Sequence, residues 1–202
     1  LTRPGDPALH TMNVQSLLVK KDGTILIGSE NRGLWVFNRS NGTIQPLYVP
    51  NNNLVDLEHS KVHALMEDNM GNLWVGLYQK GLFLIPKSNS GLDYHVVTND
   101  QSGKNCACVS AFARDQQGNL WISTDGGGIF QSDGTNLNRL FDRNEGLTCH
   151  SMISLAVDKS GTIWTGSYGH GLYYSKGGAF AQPAFNSGLS NNRIMCLEYD
   201  PL

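Results

Sequence analysis

The amino-acid sequence predicts an all-β fold, a series of β-propeller blades, and three observations lead there. A motif of Val, Asp, Gly, Trp and Gly recurs with its turn glycines at 23, 71, 118 and 161, a period of 43 to 48 residues, which is blade length. Each repeat divides into short apolar segments between Gly- and Asn-rich turns, such as Gly71-Asn-Leu-Trp-Val-Gly76, which suits strands and disfavours helices. No window carries the 3.6-residue apolar period of an amphipathic helix.

Each repeat reads as four strands, a to d. Strand a opens on Val14, Val62, Val109 or Met152 and runs toward Asp68, Asp115 or Asp158, or Lys20 in the first repeat. Its third place is small (Ser16, Ala64, Ala111, Ser154, Cys196), as crowding between stacked blades requires. A D-x-x-G turn follows, as in Asp68-Asn-Met-Gly71; Asp bonds the turn backbone and Gly supplies a positive φ. Strand b is apolar on both faces, so both should be covered. Trp74, Trp121 and Trp164 on it are expected to fill the gap between neighbouring sheets. The first repeat departs, with Leu26 in the Trp place and Trp35 on strand c. Strand c begins after Gly33, Gly81, Gly128 or Gly171, and the less regular strand d is expected over residues 44–49, 94–97, 137–141 and 179–185.

Blades are therefore expected at 13–50, 61–98, 108–142 and 151–186. Residues 194–200 restart the pattern, with Asp200 42 residues after Asp158, and predict the first strand of a fifth blade within 193–202. Residues 1–202 then form a partial propeller: four complete four-stranded blades plus one strand of the next. Propellers close so that no sheet edge stays exposed. The expectation is a fragment of a larger ring whose open blade ends pair with a second copy, giving a homodimer.

Charge excludes one class of partner. Fifteen basic residues face 17 acidic ones, a net charge of −2 with no Lys/Arg cluster, so no nucleic acid is expected. No apolar stretch approaches the ~20 residues of a membrane span, so a membrane enters only through parts of the parent protein outside this sequence. The cysteines at 106, 108, 149 and 196 lack paired zinc spacing and are expected to be free thiols.

Catalytic patterns are absent as well. Asp68, Asp115, Asp158 and Asp200 follow the repeat, which marks turn capping; a catalytic carboxylate pair would break it. D-x-x-G lacks the alternating carboxylates of a calcium loop. His59 and His63 stand four apart, a ligand spacing only on a helix. No G-x-S-x-G elbow occurs, and Gly126-Gly-Gly128 opens a strand where a phosphate cradle would open a helix. No catalytic residue, metal or cofactor is expected.

Binding residues are expected on loops. In propellers the b–c and d–a connections share one face, where ligands commonly gather. The b–c loops project Glu30, Arg32, Tyr78, Lys80, Asp125, Tyr168 and His170, and the d–a segments add His59, His150 and Arg193 with Glu58, Asn144 and Asn192. Aromatic rings stack on sugar faces while charged and amide groups bond hydroxyls or acidic substituents. Taken one at a time these are ordinary solvated loop residues; as a set they make a binding face.

The repeat resembles the two-component regulator propeller repeat, roughly V-x-x-L-x-x-D-x-x-G-N-L-W-I-G-T-x-G-G-G-L. Residues 109–129 carry it most fully, with Asp115, Gly118-Asn-Leu-Trp-Ile and Gly126-Gly-Gly-Ile. The lead-in G-L-x-x-N/H is matched by Gly146-Leu-Thr-Cys-His150 and Gly188-Leu-Ser-Asn-Asn192. The resemblance spans nearly the whole chain. It implies a ring of seven blades in the periplasmic part of a membrane-bound sensor, commonly a hybrid histidine kinase and response regulator responding to oligosaccharides. The function expected is therefore a non-catalytic, ligand-sensing propeller region. A propeller glycoside hydrolase or lyase fragment and a protein-interaction scaffold are the alternatives.

Overall fold

The computed structural model describes residues 12–49, 56–87, 93–95, 108–132, 137–141, 146–177 and 179–200. The chain divides into two compact units, Leu1–Tyr78 with Leu82–Tyr94, and Gln79–Gly81 with His95–Leu202.

The first unit holds two antiparallel sheets, each in chain order. One is β1 (Val14–Val19), β2 (Ile25–Ser29), β3 (Leu34–Asn38) and β4 (Thr43–Pro46). The other is β5 (Val62–Glu67), β6 (Leu73–Leu77), β7 (Gly81–Ile85) and β8 (Asp93–His95). The second unit repeats the plan with β9 (Cys108–Arg114), β10 (Leu120–Asp125), β11 (Gly128–Ser132) and β12 (Leu137–Phe141). Its other sheet has three strands, β13 (Met152–Val157), β14 (Ile163–Ser167) and β15 (Leu172–Ser175). The all-β reading holds, and strands a to c fall where the repeat places them.

Two strand expectations are corrected. Residues 179–185 do not form a fourth strand. Ala181 makes a single bridge to Tyr174, with both backbone bonds at 2.9 Å, before a 3-10 turn at Ala184–Gly188. Pro183 removes the N–H that would continue the ladder. Residues 194–200 form no strand either. Arg193 bridges Tyr168, and Ile194 N–H bonds Ser167 O at 3.1 Å; among the described residues no neighbouring strand extends the ladder further. Cys106 and part of the second strand d lie outside the described residues. Cys108, Cys149 and Cys196 are free thiols.

Within each unit the two sheets pack through apolar side chains. In the first, Leu26, Leu34 and Leu57 meet Val62, Leu73, Val75, Leu77 and Phe83. In the second, Trp121, Ile129 and Leu147 meet Met152, Leu155, Ile163, Tyr173 and Phe180. Leu26 and Trp121 hold the same repeat position, so the expected inter-sheet place belongs to Trp121, with Leu26 standing in for it. Trp164 is half-buried and tilts against Tyr174 of its own sheet, ring centroids 5.4 Å apart.

The turn aspartates do two jobs. Asp68, Asp115 and Asp158 accept backbone N–H groups of their turns, from Asn72, Asn119 and Thr162 at 2.8, 2.8 and 3.0 Å. Their other oxygen accepts the indole N–H of Trp74, Trp121 and Trp164 at 3.2, 2.9 and 2.9 Å. The first repeat changes both partners together: Leu26 has nothing to donate and Lys20 nothing to accept. There Thr24 N–H bonds Asp22 Oδ1 at 2.8 Å, and Lys20 Nζ reaches Glu67 Oε1 at 3.5 Å.

This sets an acid limit on stability. Burial alone would raise the Asp68 carboxyl, but hydrogen bonds from Asn72, Trp74 and the Met70 N–H outweigh it and hold it below 3.8. At Asp158 burial is likewise outweighed, by Trp164, Ser160 and Thr162. Both groups release their proton more readily folded than unfolded. Their contribution is thus present above pH 3.8 and lost as pH falls below it toward the folded values. Urea midpoints should fall between pH 4 and pH 3, and Asp158→Asn should flatten part of that fall.

Position within the stack decides what an apolar residue contributes. Leu17 and Leu155 occupy the same place in strand a, yet Leu17 is 64% exposed and Leu155 is 5% exposed. Leu155→Ala should cost about 2–5 kcal/mol and Leu17→Ala under about 0.5, read as shifts in denaturant midpoint. With Val14 and Val19, Leu17 forms an exposed apolar stripe on β1.

Candidate functional site

Three of the four b–c turns are closed from within, and in the second repeat Leu77 takes the place of the hydroxyl. A hydroxyl near the end of strand b donates to the carbonyl of the glycine that opens strand c: Ser29 to Gly33 at 3.1 Å, Thr124 to Gly128 at 2.8 Å, Ser167 to Gly171 at 2.8 Å. Two of these hydroxyls also accept a loop N–H, from Arg32 at 2.8 Å and His170 at 3.0 Å. These hydroxyl residues are fully buried, so the loops are rigid mounts for their side chains.

The turns are then tied to the d–a segment of the next repeat. Gly33 N–H donates to Ser60 O at 3.2 Å. Gly126 and Gly128 donate to His150 O at 2.9 and 3.3 Å, and Gly169 and Gly171 to Asn192 O at 3.1 and 2.8 Å. Within each unit, b–c loops and d–a segments therefore meet at one end of the sheets.

Glu30, Tyr78, Asp125 and Tyr168 occupy one repeat position there, at the end of strand b or just after it. Each meets a side chain standing just before strand a, or, for Arg193, just before the residues 194–200 that carry the strand-a pattern. Lys61 Nζ lies 3.1 Å from Glu30 Oε1 and 5.1 Å from the Tyr78 ring centroid, and His63 stacks on the same ring at 5.3 Å. The Lys61 hydrogen bond and charge hold the Glu30 carboxyl below its ordinary range. In the second unit the Ser151 hydroxyl donates to Asp125, and the Arg193 guanidinium carbon sits 4.5 Å over the Tyr168 ring. Tyr78 and Tyr168 are 38% and 48% exposed, so both rings keep surface for a ligand. Sequence reasoning missed Lys61, His63 and Ser151. The signal was the register: Lys61 and Ser151 directly precede strand a, as Arg193 precedes residues 194–200.

The remaining candidates are placed as follows. Exposed His59 bonds exposed Asp56, Nδ1 to Oδ2 at 2.7 Å. Half-buried His150 contributes its carbonyl to the Gly126 tie, and His170 O accepts Gln182 Nε2 at 2.5 Å. Lys80 is exposed, and Asn144 lies outside the described residues. Arg32 lies with Glu58 and His59 along a cleft of about 310 Å³, whose apolar lining includes Leu34, Trp35, Pro46 and Leu57. Among the described residues, no three His, Cys, Asp or Glu side chains group to hold a metal.

Residues 56–79 and 103–126 match the two component regulator propeller family. These two segments are similar to two component regulator propeller repeats. The matched segments are the second repeat, through Trp74 to Gln79, and the third, through Trp121 to Gly126.

Solved structures agree on the fold. The repeats align with the extracellular domain of a protein described as a hybrid two component system, BT3049 of B. thetaiotaomicron, at TM-score 0.74 and 23% identity, over 92% of this chain and 24% of that one. The extracellular domain of BT4673, described as a one component system of the same organism, aligns at TM-score 0.58 and 24% identity, over 76% of this chain and 20% of that one. Virginiamycin B lyase of Staphylococcus aureus, an enzyme, aligns at TM-score 0.64 and 12% identity, over 83% of this chain and 54% of that one. The repeats thus have the β-propeller fold. They span about a quarter of the length of the BT3049 domain. No curated protein sequence matches them. Among the described residues no helix is long and apolar enough to cross a membrane.

Proposed function

We propose that these repeats are the extracytoplasmic, periplasmic ligand-sensing region of a two-component signalling sensor of the hybrid histidine kinase type, and that the ligand is an oligosaccharide. The observation that carries this reading is the loop end of the sheets. There half-exposed Tyr78 and Tyr168, each within its own unit, stand beside a cation, Lys61 or Arg193, and the Tyr168 turn is fixed by the buried Ser167 hydroxyl. Exposed rings beside rigidly mounted polar groups suit sugar rings, which offer apolar faces and hydroxyl edges.

The reading is non-catalytic. A lyase shares the fold, so fold does not decide activity. The recurring carboxylates Asp68, Asp115 and Asp158 are engaged by turn backbone and tryptophan, which leaves them structural work.

Calorimetric titration of the full-length chain with neutral, uronate-containing and sulfated oligosaccharides is the direct test. Binding without turnover of the sugar is the expected result. No binding across the panel would overturn the carbohydrate assignment, and product formation would overturn the non-catalytic one.

A further inference from the structure

The first repeat breaks the pattern in a way that makes a site. The second position of strand c is aromatic in all four repeats: Trp35, Phe83, Phe130 and Tyr173. Phe83, Phe130 and Tyr173 are buried. Trp35 is half-buried and lines the cleft of about 310 Å³ between the first b–c loop and the d–a segment that follows. The repeat that moved its Trp from strand b to strand c therefore placed it where a ligand can reach it.

The cleft is built. Trp35 Nε1 donates to Arg32 O at 2.7 Å, which anchors the ring to the loop. Leu47 N–H donates to Leu34 O at 2.8 Å, and Gly33 N–H to Ser60 O at 3.2 Å, so its sides are tied by backbone. Leu34 and Leu57 belong to the core of the first unit. Asn31, Arg32, Glu58 and His59 are exposed side chains of the same cleft, and they supply donors and acceptors in both senses.

Its size is at the low end of small-molecule pockets, which run from about 300 to 1,000 Å³, so it takes one ring-sized group. An indole edge with Pro46 and leucines suits the apolar face of a pyranose. Arg32 and Glu58 carry opposite charges on the same cleft, which disfavours a strongly charged guest. We infer that the Trp35 cleft is a subsite for a single uncharged sugar residue of an oligosaccharide, stacked on the indole and hydrogen-bonded by Arg32, Asn31 and Glu58. This inference rests on the oligosaccharide reading above and names where one of its residues sits.

The test is titration of the full-length chain and of Trp35→Ala, Trp35→Phe, Arg32→Ala and Glu58→Ala with neutral gluco-, galacto- and manno-oligosaccharides. Thermal unfolding of each variant is the folding control. Trp35→Ala should weaken binding about tenfold or more, Trp35→Phe by about threefold or less, and each rim variant by an intermediate factor. Should Trp35→Ala fail to fold, Arg32→Ala and Glu58→Ala decide the matter, since both side chains are exposed. Neutral sugars bound with unchanged affinity by all four variants, or lost instead in Tyr78→Ala and Tyr168→Ala, would overturn the cleft and leave the sensing role standing. Binding of uronate-containing or sulfated glycans alone would overturn the uncharged guest. No binding of any glycan to the unmodified chain would overturn both readings.

Discussion

Trp121→Ala is expected to lower the unfolding free energy by about 3–5 kcal/mol, the range for removing a buried Trp from a core. Trp121 is a member of the cluster that joins the two sheets of the second unit, with Ile129, Met152, Leu155 and Ile163. Its removal leaves a hole between two rigid sheets, which have little freedom to collapse into it. It also takes the indole donor from Asp115 Oδ2, 2.9 Å away, though Asn119 still bonds that oxygen at 2.9 Å. Trp121→Phe weighs the two effects differently, since it keeps most of the packing but loses the N–H entirely; about 1–2 kcal/mol is expected. Trp164→Ala should cost less than Trp121→Ala, because Trp164 is half-buried. Guanidinium denaturation of the three variants checks the order. Equal costs at 121 and 164 would mean that inter-sheet packing is not what Trp121 supplies.

The same residues show how far the sequence could be read. Strands a, b and c were legible because each obeys a local rule: a small residue at the third place, a D-x-x-G turn, a glycine before strand c. Ser16 and Ser154 show why that third place is small, for their hydroxyls reach Val62 O and Ile194 O at 3.1 and 3.0 Å, across to the next repeat. Strand d obeys no such rule. Residues 179–185 stand where the repeat spacing expects strand d, and Pro183 with the 3-10 turn after it decides otherwise. Residues 194–200 carry the strand-a pattern, but a strand needs a ladder, and pattern alone does not supply one. The loop residues were legible as a set and not as pairs. Tyr168 with Arg193, and Glu30 with Lys61, are 25 and 31 residues apart in sequence; only the stacking of repeats brings them together. Trp35 was visible as a departure, and its meaning emerged once the equivalent rings proved buried.

Gly33→Ala is expected to be the most damaging change among the loop glycines compared here, at about 2–4 kcal/mol. Gly33 has φ +65°, and a Cβ there would lie 1.9 Å from Leu57 O, a backbone atom that cannot rotate away. Leu57 is itself buried in the core of the first unit, so yielding would drag a packed residue and break the Gly33 to Ser60 bond. Gly42 is the matched control: φ +68°, with nothing within 4 Å of its ideal Cβ. Gly42→Ala therefore carries the left-handed strain alone, about 1 kcal/mol. The difference between the two in denaturant unfolding isolates the close approach of loop to segment. That approach also sets the spacing between Arg32 and Glu58 on the Trp35 cleft. Gly33→Ala should therefore weaken oligosaccharide binding in whatever fraction still folds, while Gly42→Ala leaves it unchanged. Equal stability losses would show that the d–a segment gives way easily, and a cleft with so yielding a wall would hold no sugar in a fixed pose.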